Sequence, residues 1–230
     1  MKVGSLFSGI GGFDLGLERA GYDICWQVEI DPYCQRVLAK HWPTVPRYGD
    51  ICAMDWGTVE PVDVLCGGFP CQPFSLAGKR KGKKDDRALW PECVRALDVL
   101  KPTWFIGENV PGFITLGLEQ ACLDLEALNY EVWPVCLPAC SVNAPHKRER
   151  LFIMAYSAGT RPQRHRNQCQ LDESQGKMQT GWGNWWSCEP GIQRVAHGIP
   201  SRVDRLTAIG NAIVPQIAEA LGRMILEVEP

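Results

Sequence analysis

Val3-Gly4-Ser5-Leu6-Phe7-Ser8-Gly9-Ile10-Gly11-Gly12 opens the chain with an apolar run that passes directly into glycines. Residues 3–7 read as a buried strand, and the small residues after them as a tight turn into a helix that ends near Gly21. A strand that turns through glycines into a helix is the opening unit of a doubly wound α/β sheet. Small side chains there let a ligand approach the backbone at the strand's C-terminal end. The loop is not the full dinucleotide fingerprint, because Asp14 stands where a glycine would be. Taken alone it fits a plain tight turn as well.

Outward from this unit the alternation continues. Residues 24–28 read as a strand ending at Glu29, and Asp31-Pro32 as a helix start, with Asp as cap and Pro at the first helical position. Gly49-Asp50-Ile51 follows another short turn, and residues 62–66 form an apolar strand. Residues 89–100 read as helix, 103–106 as a strand ending at Glu108, 116–128 as helix, 151–154 as strand and 213–226 as a final amphipathic helix. The expectation is an α/β fold with a doubly wound, largely parallel sheet.

A length of 230 residues with 45% hydrophobic content suits one domain with a small insert. No run of about 18 apolar residues is present, so a membrane span is not expected. The first residues lack a signal-peptide pattern, which places the expected site of action in the cytoplasm. The 11 cysteines are odd in number and contain no Cys-x-x-Cys pair, and the four histidines are scattered. Reduced thiols, with no metal site, are the expectation. The net charge of −2 hides an asymmetry. Residues 1–66 carry a net of −4, residues 79–87 a net of +4 and residues 144–166 a net of +5. Two basic segments beside candidate site loops suit a polyanion partner, although a solvated face is the usual meaning of a charge run.

Texture changes after Ala155. Of the 23 residues 159–181 only Cys169, Leu171 and Met178 are hydrophobic, and Trp182, Trp185 and Trp186 follow as a cluster. Such a polar segment cannot bury a core of its own. The expected division is a catalytic domain of residues 1–155 and 198–230, interrupted by a 42-residue insert at 156–197.

Chemistry concentrates in Gly67-Gly68-Phe69-Pro70-Cys71-Gln72-Pro73-Phe74-Ser75. Cys71 follows a strand and stands beside one proline and two residues before another, a setting that aims a thiol rather than packs it. Glu108-Asn109-Val110 ends another strand, and a carboxyl in a closed pocket there would have a raised pKa. Arg148 and Arg150 alternate before Leu151, so period 2 puts both on one face of an entering strand. An exposed, charged strand start fits that alternation equally. Glu29 and Asp50 end successive strands, where a carboxylate can accept ribose hydroxyl bonds. Gly210-Asn211-Ala212-Ile213-Val214-Pro215 precedes the last helix, with Asn211 the expected cap.

These motifs, in this order, resemble those of the DNA (cytosine-5)-methyltransferases, the family whose members include the modification enzymes of restriction–modification systems. The resemblance covers residues 1–155 and about 198–230, and the insert is shorter than the family's usual recognition region. It implies S-adenosyl-L-methionine as cofactor and double-stranded DNA as substrate, with the target base flipped out of the stack. Phe7 would stack near the adenine, Ser8, Gly9, Gly11 and Gly12 would form the cofactor loop, and Glu29 would hold the ribose. Asp50 would contact the adenine amino group, while Ile30, Ile51, Pro70, Asn211 and Ala212 would complete the cofactor site. Cys71 would add to carbon 6 of cytosine, which makes carbon 5 nucleophilic enough to take a methyl group. Glu108 would bind ring nitrogen 3 and the exocyclic amine, and Arg148 and Arg150 would contact the base and nearby phosphates. His146 stands where the family's arginine motif has Gln. The basic loop 79–84 would close over the DNA, with Gln72 or Ser75 filling the gap left in the duplex. A monomer is expected, reading a target of about two to four base pairs, alone or with a separate specificity subunit. An RNA cytosine-5 methyltransferase and an inactive DNA-binding subunit are the alternatives. A Rossmann oxidoreductase would leave the proline-flanked thiol unexplained.

Overall fold

A computed structural model of the chain describes residues 1–70, 89–157 and 202–229. Its elements are β1 (Lys2–Leu6), α1 (Gly12–Ala20), β2 (Asp23–Val28), α2 (Pro32–His41), β3 (Arg47–Tyr48), β4 (Val64–Gly68) and α3 (Trp90–Leu100). They continue with β5 (Trp104–Asn109), α4 (Phe113–Leu116), α5 (Leu118–Ala127), β6 (Tyr130–Pro138), β7 (Glu149–Ser157), α6 (Arg202–Asn211) and α7 (Pro215–Val228). Among the described residues the strands form one seven-stranded sheet in the order β3-β2-β1-β4-β5-β7-β6. β1 through β5 pair in parallel, and β7 and β6 close the far edge antiparallel. The doubly wound, largely parallel sheet expected from the alternation is therefore the observed one.

Period-2 alternation divides the core into two layers. Val64 and Cys66, Trp104 and Ile106, and Phe152 and Met154 face α1 and α7. Leu65, Phe105, Leu151 and Ile153 face α3 and α5. Strands buried on both faces must be apolar throughout, which is why β4 and β5 carry so few polar side chains. Tyr156 is still core, so the sheet runs past the boundary placed at Ala155, to Ser157.

Asp31 caps α2 by accepting from Cys34 N at 2.9 Å, and Pro32 occupies the first turn. Three readings differ from the sequence expectation. The helix placed at 116–128 is α5, which starts two residues later, and a separate short helix, α4, precedes it across Gly117. No strand is expected between 128 and 151, yet β6 forms there and contains Pro134 and Pro138. It is an edge strand, where a residue without an N–H leaves no ladder bond unmade on the open side. Asn211 is not the cap of the last helix. It ends α6, a helix the sequence did not announce, while α7 starts after Val214 with no side-chain cap. Pro215 opens α7 and has no N–H to satisfy there.

Candidate active site

β1 and β4 are neighbours at the point where strand order reverses, so the loops after them open into one crevice at the strand ends. Phe7 leaves β1 with φ 49°, an unusual state for an aromatic residue that costs on the order of 1–3 kcal/mol. Among the described residues, the left-handed non-glycine positions Lys101, Asn129 and Asn143 lie at or just past helix ends, whereas Phe7 and Arg148 do not, and both belong to this crevice. Gly11 caps α1 with φ 85°, and a β-carbon there would run into the Trp42 ring. Ser8 is buried and pins the loop, its N–H donating to Val28 O at 3.0 Å and its hydroxyl to Ser5 O at 3.1 Å.

Glu29 stands at the end of β2, as expected, but both its oxygens have local work. Oε2 accepts from Gly9 N and Oε1 from Asp31 N, each at 2.7 Å. The carboxylate therefore joins the glycine loop to the start of α2, and each oxygen keeps further acceptor capacity. Asp50 is exposed and caps a short 3₁₀ turn, Ile51–Ala53, through Cys52 N at 2.9 Å. Ile30 is 69% exposed, whereas the Ile51 side chain, 4% exposed, belongs to the core. Beneath the loop, fully buried Asp14 accepts from Ser5 Oγ at 3.0 Å and Gln27 Nε2 at 2.7 Å. Burial pushes its carboxyl up to about 6, against the pull of those two bonds. The sequence reading saw Asp14 only as a missing glycine.

On the other wall β4 and β5 end together, with Gly68 paired to Glu108. Glu108 is 9% exposed, and its Oε1 meets Arg150 Nε at 3.0 Å. Burial raises the Glu108 pKa, and the charges of Arg150 and then Arg148 pull it partly back. The raised value expected for a closed pocket is thus present, with desolvation as its cause. A β-carbon on Gly68 would stand 2.9 Å from Glu108 Oε2, so a side chain there would displace that carboxyl. Asn109 is buried and donates from Nδ2 to Phe69 O at 3.1 Å, while its Oδ1 accepts from Val110 N at 2.9 Å. It fixes the chain where it leaves β4, a role that the adjacent Glu108 had drawn attention away from. Phe69 itself is wedged against Trp90 and Phe113, at ring-centre distances of 4.9 and 5.2 Å. Pro70 is exposed and leads to Cys71. Cys71, Gln72, Ser75 and the basic loop 79–84 lie outside the described residues, as do residues 158–197 of the insert.

The two arginines do not share one strand face. β7 begins at Glu149, and Arg148 has φ 20°, so the alternation starts one residue too late to include it. Arg150 goes to Glu108, whereas Arg148 Nη2 donates to Gly210 O at 2.8 Å and Ala212 O at 2.7 Å. Asn211 is exposed and Ala212 half-buried in the link from α6 to α7. That link returns to the glycine loop: Ile213 O lies 2.9 Å from the place a β-carbon on Gly12 would take. The crevice thus brings together the loop after β1, Glu29, Asp50, the approach to Cys71, Glu108 with Arg150, and the 210–213 link.

Residues 1–182 match the family model for C-5 cytosine-specific DNA methylase. Type II methyltransferase M.MspI of Moraxella sp is 36% identical over 161 residues, covering 67% of this chain and 38% of that protein. Type II methyltransferase M.HhaI of Haemophilus parahaemolyticus is 35% identical over 156 residues, covering 66% and 47%. The chain therefore spans less than half the length of these relatives. Among solved structures, a DNA modification methyltransferase encoded within an E. coli prophage superimposes with a TM-score of 0.60 at 29% identity, covering 69% of this chain and 47% of that one. S. pombe Dnmt2 methyltransferase shares the fold, with a TM-score of 0.60 at 24% identity and coverage of 68% and 51%.

Proposed function

The chain belongs to the C-5 cytosine-specific DNA methylase family, and we propose that it transfers a methyl group from S-adenosyl-L-methionine to carbon 5 of cytosine in DNA. The observation that carries this reading is the pair at the strand ends. A buried carboxyl of raised pKa, Glu108, is held by Arg150 directly beside the strand that leads to Cys71.

Cofactor binding is assigned to the loop after β1. Among the described residues, Phe7 O at 3.9 Å is the one atom within 4 Å of the place of a β-carbon on Gly9. Ile30 and Asp50 are exposed two residues past the ends of β2 and β3, and Glu29, bonded to Gly9 N, offers acceptors to a ribose. These residues fit a nucleoside-bearing ligand. S-adenosyl-L-methionine supplies the electrophilic methyl group when bound.

The remaining chemistry is the chain's own. Cys71, as thiolate, adds to carbon 6 of the flipped cytosine, and Glu108 gives a hydrogen bond or proton to ring nitrogen 3 as negative charge builds there. Carbon 5 then takes the methyl group, a base (water or a side chain) removes its proton, and the electron pair left behind re-forms the 5,6 double bond as the Cys71 thiolate leaves carbon 6. Arg150 fixes the Glu108 carboxyl while leaving its Oε2 toward Gly68. Double-stranded DNA is the substrate in this reading and a monomer the working unit. Residues 156–197 or a separate specificity chain supply the sequence recognition. Among the described residues no helix is long and apolar enough to cross a membrane, and the described cysteines are free thiols, which favours a reducing, cytoplasmic setting.

The test is methyl transfer from labelled cofactor to DNA and to RNA, with base analysis. Duplex DNA containing 5-fluorocytosine should trap a gel-stable adduct in the presence of cofactor, and Cys71→Ala should abolish it while cofactor binding persists. Label appearing on RNA alone, or a Cys71→Ala protein that methylates at the wild-type rate, would overturn the assignment.

A further inference from the structure

Arg148 is placed unlike a DNA contact. Its Nη2 is committed to two backbone carbonyls, Gly210 O at 2.8 Å and Ala212 O at 2.7 Å. Gly210 lies in the last turn of α6, where the unpaired carbonyls carry partial negative charge and favour a cation. Burial and then the like charge of Arg150 work against the Arg148 cation, and the charge of Glu108 offsets them in part; the two carbonyls accept charge-assisted bonds from it. Backbone φ of 20° turns residue 148 out of the β7 alternation. A backbone of that kind persists only where its surroundings hold it.

The connections run in both directions. The residue after Ala212 is Ile213, whose backbone N and O lie 3.2 and 2.9 Å from the place of a β-carbon on Gly12. Gly12 is the first residue of α1 and directly follows the loop of Gly9 and Gly11. Two residues beyond Arg148, Arg150 holds Glu108 at 3.0 Å. One short segment, 148–150, therefore ties the 210–213 link to the wall that carries the base-recognising carboxyl.

We propose that Arg148 is a positioning residue that latches the 210–213 link over the cofactor loop, and so joins cofactor binding to the Glu108–Arg150 pair, rather than a residue that contacts DNA. This rests on the cofactor site assigned above. The latch acts before any nucleic acid is present. Its loss therefore shows in the binary complex with cofactor, whereas loss of a phosphate contact shows only in DNA affinity.

The experiment uses the full chain, its Arg148→Ala variant and its Arg148→Lys variant. S-adenosyl-L-methionine affinity is measured by calorimetry without DNA. Duplex affinity is measured with saturating S-adenosylhomocysteine, and thermal midpoints are recorded alongside. Arg148→Ala should weaken cofactor binding about tenfold or more, equivalent to about 1.4 kcal/mol per tenfold, with duplex affinity within about twofold once cofactor saturates. Arg148→Lys keeps the charge and a donor and should recover part of the loss. It is also the variant to read if Arg148→Ala does not fold. Unchanged cofactor affinity with weakened duplex binding would overturn the latch in favour of a phosphate contact. Equal loss of both affinities with a lowered midpoint would overturn it in favour of a purely structural role. Wild-type protein that binds no cofactor would overturn the functional reading along with the latch, whereas normal wild-type binding matched by Arg148→Ala overturns the latch alone.

Discussion

Removing Arg150 tests the electrostatics of the base-side wall. In Arg150→Met the stem volume is roughly kept, and Glu108 loses its partner at 3.0 Å while remaining buried. Leaving one member of a buried pair uncompensated typically costs about 3–5 kcal/mol. Arg150 is 22% exposed at its side chain, so the lower end applies, and water reduces it further. There is also a ceiling, because Glu108 can take up a proton instead of staying charged. From an ordinary value of 4.5, protonation costs about 4 kcal/mol at pH 7.5 and about 1.4 kcal/mol at pH 5.5. Burial already raises Glu108, so the true ceilings are lower at both pH values. The expected loss is thus about 2–3 kcal/mol at pH 7.5, shrinking to about 1 kcal/mol at pH 5.5. The sign follows from linkage. Without Arg150 the folded pKa lies still further above the unfolded one, so the contribution of Glu108 is fully present below the unfolded value and is lost as pH rises through the folded value. Urea unfolding of wild type and variant at pH 5.5, 6.5 and 7.5 reads this directly. A penalty that is flat in pH, or larger at pH 5.5, would refute the account of Glu108 as a desolvated carboxyl held by Arg150.

Other positions give independent checks. Asn109→Ala removes the donor to Phe69 O and the acceptor for Val110 N. It should cost about 1–3 kcal/mol in urea unfolding and lower the rate of methyl transfer while leaving cofactor affinity unchanged by calorimetry. Glu29→Ala orphans Gly9 N and Asp31 N, so both stability and S-adenosyl-L-methionine affinity should fall, each by about 1–3 kcal/mol. A stability loss with full affinity would leave Glu29 a scaffold residue only. Asp14, raised from 3.8 to about 6, should give wild type a contribution that is present below pH 4 and lost by about 3 kcal/mol as pH rises past 6. Asp14→Asn should lack that slope, which the pH dependence of the stability difference between the two proteins measures.

The sequence by itself determined the sheet and the places of its site loops. Apolar runs such as 62–66, glycines after β1, and carboxylates at strand ends are local signals, because strand period, turn chemistry and helix starts depend on neighbours a few residues away. Asp31 capping α2 and Glu108 next to the end of β5 were legible for that reason. Tertiary structure decided what depends on distant chain. β6 survives its prolines only because it lies at the sheet edge, and no local pattern records a strand's place in the order. The raised pKa of Glu108 could be expected, but its balance of burial against Arg150 needed the β5–β7 pairing that sets them 3.0 Å apart. Arg148 shows the limit most clearly. Alternation with Arg150 suggested a shared face, yet its partners are carbonyls 62 and 64 residues away, and φ 20° turns it out of the strand. A guanidinium binds whichever acceptors the fold delivers, and only the return of α6 and α7 across the glycine loop delivered these.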